Sequence, residues 1–171
     1  WETVSVSGQL PLPPRTEIVI VGAGLAGLSC ALLLAQAGAK VVVLEASPAL
    51  ADCVVGRGAG LAQLGLCEHP VQLVSAIGRE DARALYALSV RSLQMLEAHA
   101  QWSSRGELWC ASMDREDEAV TRSVDCLSQM QLPVELMTGA ALKGRLGVSS
   151  FSLGWGQPFG GSLAPRALIN D

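Results

Sequence analysis

The chain has 171 residues, half of them hydrophobic, and a formal net charge of −4 at pH 7. This size and composition suffice for a domain with a sizeable core. The acidic balance and the aromatic content of only 4% disfavour nucleic acid as the main partner, because such binding needs a basic surface and stacking rings.

Residues 1–17 lack the basic start and apolar run of a signal peptide, and their LPLPPR segment predicts an extended, proline-stiffened leader. The five cysteines are odd in number and scattered, without a C-x-x-C pair. We therefore expect mostly buried, reduced thiols and a cytoplasmic location. The two histidines lie far apart, with no cysteine at ligand spacing, so no metal site is expected.

Residues 18–45 follow the order strand, glycine-rich turn, helix, strand and acid. The β-branched residues 18–21 lead into the turn, an apolar helix follows, and a second strand over 41–44 ends at Glu45. The residues of the turn are Gly22, Ala23, Gly24, Leu25, Ala26 and Gly27. In this context a G-x-G-x-x-G pattern predicts a dinucleotide-binding βαβ unit.

Each position of this pattern has a physical reason. Gly22 permits the tight turn, Gly24 leaves room for a pyrophosphate, and Gly27 lets the helix pack against the strand. The amides and dipole of the helix N-terminus attract the phosphates. Glu45, followed by Ala46, can accept hydrogen bonds from both ribose hydroxyls and would repel a 2′-phosphate, which disfavours an NADP-type ligand.

A membrane span is the alternative interpretation of residues 18–39, which contain no charged side chain and are long enough to cross a bilayer. However, the three glycines of the turn interrupt the segment, and its β-branched residues cluster at one end. We therefore predict no transmembrane segment.

A second glycine cluster follows the acid. Its residues are Gly56, Arg57, Gly58, Ala59, Gly60 and Leu61. Such a loop can approach a ligand closely and offer backbone N–H groups. It can equally be a flexible surface loop with a solvated arginine, and the residues alone leave both interpretations open.

The remainder mixes helices and strands, which indicates an α/β fold. The predicted elements are a helix over 70–101 broken at Gly78, a strand over 107–113, a helix from an N-cap at Asp114 to 131, a helix over 139–146 capped by Thr138, strand or hairpin over 149–162, and a final helix from Pro165. A solvated helix face is predicted at Arg79, Glu80, Asp81, Arg83 and Arg91.

Several blocks point to a family by their order: IVIVGAGLAGLS, GRGAGL, REDARALYALSVRSLQMLEA, GELWCASM and GGSLAPRALIN. In this order the chain resembles the N-terminal half of the FAD-dependent oxidoreductases of the D-amino-acid oxidase, glycine oxidase and sarcosine oxidase group. The resemblance implies a Rossmann-like FAD-binding domain with a helical insertion and part of a substrate domain. We therefore expect a truncated chain, which also begins at Trp1 and ends in a helix-like segment.

The resemblance divides the chain into five segments. They are a leader at 1–16, the FAD-binding βαβ unit and glycine loop at 17–66, a helical insertion with one strand at 67–147, the start of the substrate-domain sheet at 148–162, and a return to the FAD-binding domain at 163–171. The three glycines of the turn would hold the FAD pyrophosphate, Glu45 the adenosine ribose, and residues 56–61 would lie near the flavin ring.

One departure from the group concerns that loop, which has Gly58 where asparagine is usual and two valines before Gly56. The group's substrate-binding residues belong to its C-terminal half, so no catalytic residue is assigned, and we expect this chain alone to be inactive. Its oligomeric state is not determined by the sequence.

The implied activity is oxidation of a small-molecule amine or amino acid by hydride transfer to flavin. One alternative is an NAD-dependent dehydrogenase, which would show regular βαβ repeats after Glu45. The other is a nucleotide-binding module without turnover.

Overall fold

The computed structural model describes residues 11–47, 57–98, 101–112 and 116–170. Its elements are β1 (Ile18–Val21), α1 (Leu25–Gln36), β2 (Val41–Leu44), β3 (Leu61–Ala62), α2 (Pro70–Ile77), α3 (Arg79–Glu97), β4 (Ser103–Ser104), β5 (Glu107–Cys110), α4 (Asp117–Gln129), β6 (Glu135–Thr138), α5 (Gly139–Leu146), β7 (Leu153–Gln157), β8 (Gly161–Ser162) and α6 (Pro165–Asn170). They form two compact units: the described parts of Trp1–Gly60 and Leu163–Asp171, and those of Leu61–Ser162.

The first unit contains the predicted βαβ arrangement, which is confirmed. Strands β1 and β2 are parallel, with Ile18 opposite Val41 and Val21 opposite Leu44. The helix α1 joins them, and Gly38 follows it at φ +89°, a conformation that glycine adopts without steric cost. Within the described residues, these two strands pair only with each other.

The second unit contains two three-stranded antiparallel sheets, in the orders β3-β8-β4 and β5-β7-β6. Helix α2 packs against α3 and α4, and α4 packs against β7. The buried core comprises Leu64, Leu73, Ala82, Tyr86, Leu93, Ala111, Val120, Leu127, Met130 and Trp155. The Trp155 ring is stacked on Trp109, with 5.2 Å between the ring centroids.

Most predicted elements are present, but their bounds and partners differ in part. The break at Gly78 and the bounds of α5 are confirmed. The strand predicted over 107–113 is shorter, Glu107–Cys110. The strand Glu135–Thr138 was not predicted. Residues 149–162 form two strands rather than a hairpin, because β7 and β8 belong to different sheets.

The expectation of buried cysteines is wrong for the described residues, in which Cys30 and Cys67 are exposed and Cys110 and Cys126 half-buried, all as free thiols. The mostly apolar sequence around a cysteine does not reveal which side of its element faces the core. The predicted N-cap Asp114 and also Cys53 and His99 lie outside the described residues. Within the described ranges no helix is long and apolar enough to span a bilayer, and no cluster of three or more His, Cys, Asp or Glu could hold a metal.

Candidate cofactor-binding site

The glycine-rich turn leaves the end of β1 and stays hydrogen-bonded to β2. Gly22 has φ +99°, and its N–H donates to the carbonyl oxygen of Leu44 at 2.7 Å. Ala23 follows and is only 1% exposed. The turn is thus fixed to the tip of the second strand before the helix begins.

Gly24 and Gly27 are required for different reasons. A Cβ at Gly27 would collide with the carbonyl oxygen of Gly22 and lie 3.4 Å from Cγ2 of Ile20, so close packing of helix on strand excludes any side chain. A Cβ at Gly24 would meet no atom within 4 Å. The protein's own packing therefore leaves the space in front of Gly24 open.

The N-terminus of α1 suits an anion. Gly24 is its N-cap, no side chain caps the helix, and its first turn has no acidic residue. The carbonyl oxygen of Gly24 accepts the Leu28 N–H at 2.9 Å, so the helical hydrogen bonds begin directly at the turn. The first amides and the helix dipole then favour a phosphate group at this end.

Glu45 lies directly after β2 and connects both parts of the site. One carboxylate oxygen accepts the Ala23 N–H at 2.7 Å and the other the Ser47 N–H at 2.9 Å. These hydrogen bonds, from Ser47 first and then Ala23, lower the pKa of Glu45. The ionised carboxylate is exposed and has further lone pairs, so it can also accept hydrogen bonds from ligand hydroxyls. The neighbouring Ala46 is exposed.

The second glycine loop is described from Arg57 onward, whereas Gly56 lies outside the described residues. Gly60, at φ +73°, has its carbonyl oxygen hydrogen-bonded to the Leu163 N–H at 2.8 Å. The loop residues before it are exposed: Arg57, Gly58 and Ala59. Leu61, 73% exposed, begins the second unit. The hydrogen bonds therefore bring together Glu45 and the glycine turn, and they join the second loop to Leu163.

The second unit contains a buried carboxyl group that the sequence reasoning missed. Glu107 is 8% exposed and accepts the Leu64 N–H at 2.9 Å. Burial raises the pKa of Glu107 to about 7, against the opposing effect of that hydrogen bond. Burial also raises the pKa of Tyr86 to about 12, with a smaller contribution from the Glu107 charge.

The solvated helix face predicted at Arg79, Glu80, Asp81, Arg83 and Arg91 is confirmed, because all five residues are exposed. Strand alternation places Glu107 on the same side as Trp109, which is the sequence signal that could have indicated an inward carboxyl group.

The fold and this turn define a Rossmann-type dinucleotide-binding unit. A model of the "FAD dependent oxidoreductase" family, DAO, matches residues 17–170. The chain belongs to this family, as the resemblance predicted, and the cofactor of the family is FAD. The interpretation as an NAD-dependent dehydrogenase is not supported by this membership.

Known proteins agree with this assignment. The tRNA 5-methylaminomethyl-2-thiouridine biosynthesis bifunctional protein MnmC of Pseudomonas putida is 30% identical over 194 residues, covering 100% of this chain and 27% of the relative. Glycine oxidase from Bacillus cereus has a TM-score of 0.63 at 20% identity, covering 91% of this chain and 42% of that structure.

L-α-glycerophosphate oxidase from Mycoplasma pneumoniae, solved with FAD bound, has a TM-score of 0.68 at 15% identity. The match covers 91% of this chain and 40% of that structure. At these identities the two solved structures support the fold alone. The chain spans about a quarter of the length of the curated relative, 27%, and about two fifths of the solved structures, 42% and 40%.

Proposed function

We propose that this chain forms the FAD-binding part of an oxidoreductase that oxidises an amine or amino acid. The observation that carries the proposal is the Glu45 carboxylate, hydrogen-bonded to the Ala23 amide beside an uncapped helix N-terminus. The open space in front of Gly24 fits the same ligand, since a dinucleotide needs a phosphate site and a ribose acceptor close together.

The residues of the turn take distinct roles toward FAD. The amides of residues 24–27 receive the pyrophosphate, whose charge is complementary to the helix dipole. The Glu45 carboxylate accepts the adenosine ribose hydroxyls, and its lowered pKa keeps it ionised at neutral pH. The second glycine loop, 56–61, offers backbone groups near the flavin ring. Glu45 and the turn thus orient the cofactor.

When bound, FAD supplies the hydride acceptor for oxidation of a C–H bond next to the substrate nitrogen, which leaves an imine that water hydrolyses. The described charged side chains include no carboxylate clamp or positioned base at the glycine turn, so this chain supplies cofactor binding and orientation. As the family resemblance implies, we expect the substrate-binding residues in the parts of the relatives that this chain does not span, since it covers 27% of the MnmC relative and 42% of the glycine oxidase structure.

The substrate class follows from the family and from charge. Glycine oxidase is among the similar structures, and the name of the MnmC relatives combines tRNA with a methylaminomethyl group, which is also an amine. The net charge of −4 differs from the basic balance that is typical of RNA-binding proteins. We therefore favour a small-molecule amine or amino acid over an amine carried on RNA.

Replacing Glu45 with alanine is expected to weaken FAD binding at least about tenfold, because the ribose loses a charged acceptor and the turn loses its Ala23 hydrogen bond. The measurement is a titration of the chain with FAD, followed by quenching of flavin fluorescence. The matched control is Glu17→Ala, since the Glu17 carboxylate also accepts an exposed backbone amide, Lys40 N–H at 2.9 Å. Equal affinities of the two variants would contradict the ribose assignment.

The 171-residue chain, produced alone, is expected to bind FAD without oxidising any amine. Proximity and water exclusion lower an enzymatic barrier by roughly 7–11 kcal/mol. A cofactor that is held only through its adenine half loses most of this reduction. The measurement is anaerobic photometry with excess FAD and a panel of amines and amino acids. Flavin bleaching at the rate of an intact oxidase would place the catalytic residues within this chain and overturn the expectation.

A further inference from the structure

The second unit contains a cleft of about 240 Å³ that no step of the proposed function uses. It is lined by residues 61–63, by residues 105–108 and by Gly161 and Ser162 of β8, all of which belong to the second unit. Pockets for drug-sized ligands measure roughly 300–1,000 Å³, so this cleft suits a smaller ligand, of the size of an amino acid. We call it the edge cleft, because one side of it is the edge strand β5.

Arg105 carries the exposed charge of the edge cleft. Its Nε donates to the Ser103 hydroxyl at 3.0 Å, which orients the guanidinium and leaves its terminal nitrogens as further donors. No Asp or Glu of the described ranges forms an ion pair with Arg105. The other charged lining residue, Glu107, is only 8% exposed, and its carboxyl accepts the N–H of the core residue Leu64. The charge that the edge cleft presents to a ligand is therefore positive.

A backbone amide of β5 adds a second donor. In the described part of the chain β5 pairs with β7 alone, and the Ala111 N–H donates to the Leu153 carbonyl at 2.8 Å. In an antiparallel pair the hydrogen-bonded positions alternate along the strand, so Trp109 also faces β7 and Leu108 faces away from it. Since Leu108 lines the edge cleft, its N–H points to the open side of the strand, where it can donate to a ligand.

We propose that the edge cleft binds a small carboxylate, of the size of an amino acid, through the Arg105 guanidinium and the Leu108 N–H. The planar guanidinium matches the two oxygens of a carboxylate, and hydrogen bonds to an ionised acceptor are stronger than neutral ones. The site shares no residue with the glycine turn or Glu45. The proposal therefore goes beyond FAD binding and does not depend on it.

The test is a titration of the full chain, without FAD, with butyrate at an ionic strength held constant with sodium chloride. Nuclear magnetic resonance follows the backbone amide of Leu108 and the side-chain Nε–H of Arg105. We expect both signals to shift and to saturate with the same dissociation constant. Butyramide has the same size without the charge, so it should bind at least about tenfold more weakly.

Two variants test the two donors. Arg105→Gln should weaken butyrate binding at least about tenfold, because the ligand loses its charged partner. The matched control, Arg91→Gln, makes the same change at an exposed arginine of α3 and should leave the affinity unchanged. Leu108→Pro removes only the outward N–H, which an edge strand tolerates, and should weaken butyrate binding at least about threefold.

The proposal is overturned if butyramide binds like butyrate, if Arg105→Gln binds butyrate as well as Arg91→Gln does, or if the shifts rise without saturation. Triglycine separates a free small acid from the C-terminus of a peptide, and tighter binding of triglycine than of butyrate would overturn the assignment to a small molecule. Should Leu108→Pro not fold, Arg105→Gln decides the question. Because FAD is absent from every titration, a negative result leaves the proposed function unaffected.

Discussion

A Gly24→Val variant is expected to bind FAD at least about a hundredfold more weakly while its fold stays intact. Gly24 has an extended backbone, φ −75° and ψ 176°, which valine adopts readily. Its Cβ would meet no protein atom within 4 Å, so we expect the valine side chain to enter the open space that is proposed for the pyrophosphate. A titration with FAD measures the affinity, and far-ultraviolet circular dichroism with thermal unfolding measures the fold.

The matched variant, Gly27→Ala, should show the opposite defect. Glycine to alanine within a helix normally stabilises by about 0.5–1 kcal/mol. At Gly27 the added Cβ collides with the Gly22 carbonyl, so we expect a lower melting temperature instead. The control is Gly144→Ala in α5, where an added Cβ meets nothing within 4 Å and the usual stabilisation is expected.

The variants Gly24→Val and Gly27→Ala separate two roles of the glycines, room for the ligand at Gly24 and close packing of the helix at Gly27. If Gly24→Val binds FAD like the wild type, the glycine turn is not the phosphate site. If Gly27→Ala is as stable as Gly144→Ala, the helix is not held against the strand as closely as the geometry indicates.

The sequence predicted the βαβ unit accurately because each of its parts is set by local constraints. The turn requires a glycine at φ +99° at Gly22, the helix must follow at once, and the acid must stand at the end of the next strand. The same holds for the break at Gly78, at φ +85°. Such features depend on a few neighbouring residues, and their chemistry is visible in the residue types.

Features set by distant partners were not predictable. The strand Glu135–Thr138 buries only Met137, so it shows no alternation that would predict a strand. The chain after Ser149 contains extended segments, but only tertiary pairing assigns β7 and β8 to different sheets. Burial of Glu107 depends on the Leu64 amide and the Tyr86 ring, neither of which is near it in sequence.

The second large effect concerns stability against pH. Glu107 has a pKa of about 7 in the folded protein, against an ordinary value of 4.5. Between pH 4.5 and 7 the folded state binds more protons than the unfolded state. The contribution of the Glu107 carboxyl to stability is therefore fully present below pH 4.5 and is lost as pH rises through 7. The difference between the two pKa values corresponds to a change of at most about 3 kcal/mol in the free energy of unfolding.

Urea unfolding between pH 4.5 and 8 measures this effect, with tryptophan fluorescence reporting the second unit, which contains Trp102, Trp109 and Trp155. The wild type also contains other groups that titrate in this range, so the informative quantity is its difference from Glu107→Gln. That difference contains only the contribution of the Glu107 carboxyl, because every other group is shared. Since Gln stays neutral, Glu107→Gln should gain stability relative to the wild type as pH rises. A constant difference would mean that the Glu107 carboxyl ionises in the folded protein as easily as in the unfolded chain, and that its burial imposes no charge penalty.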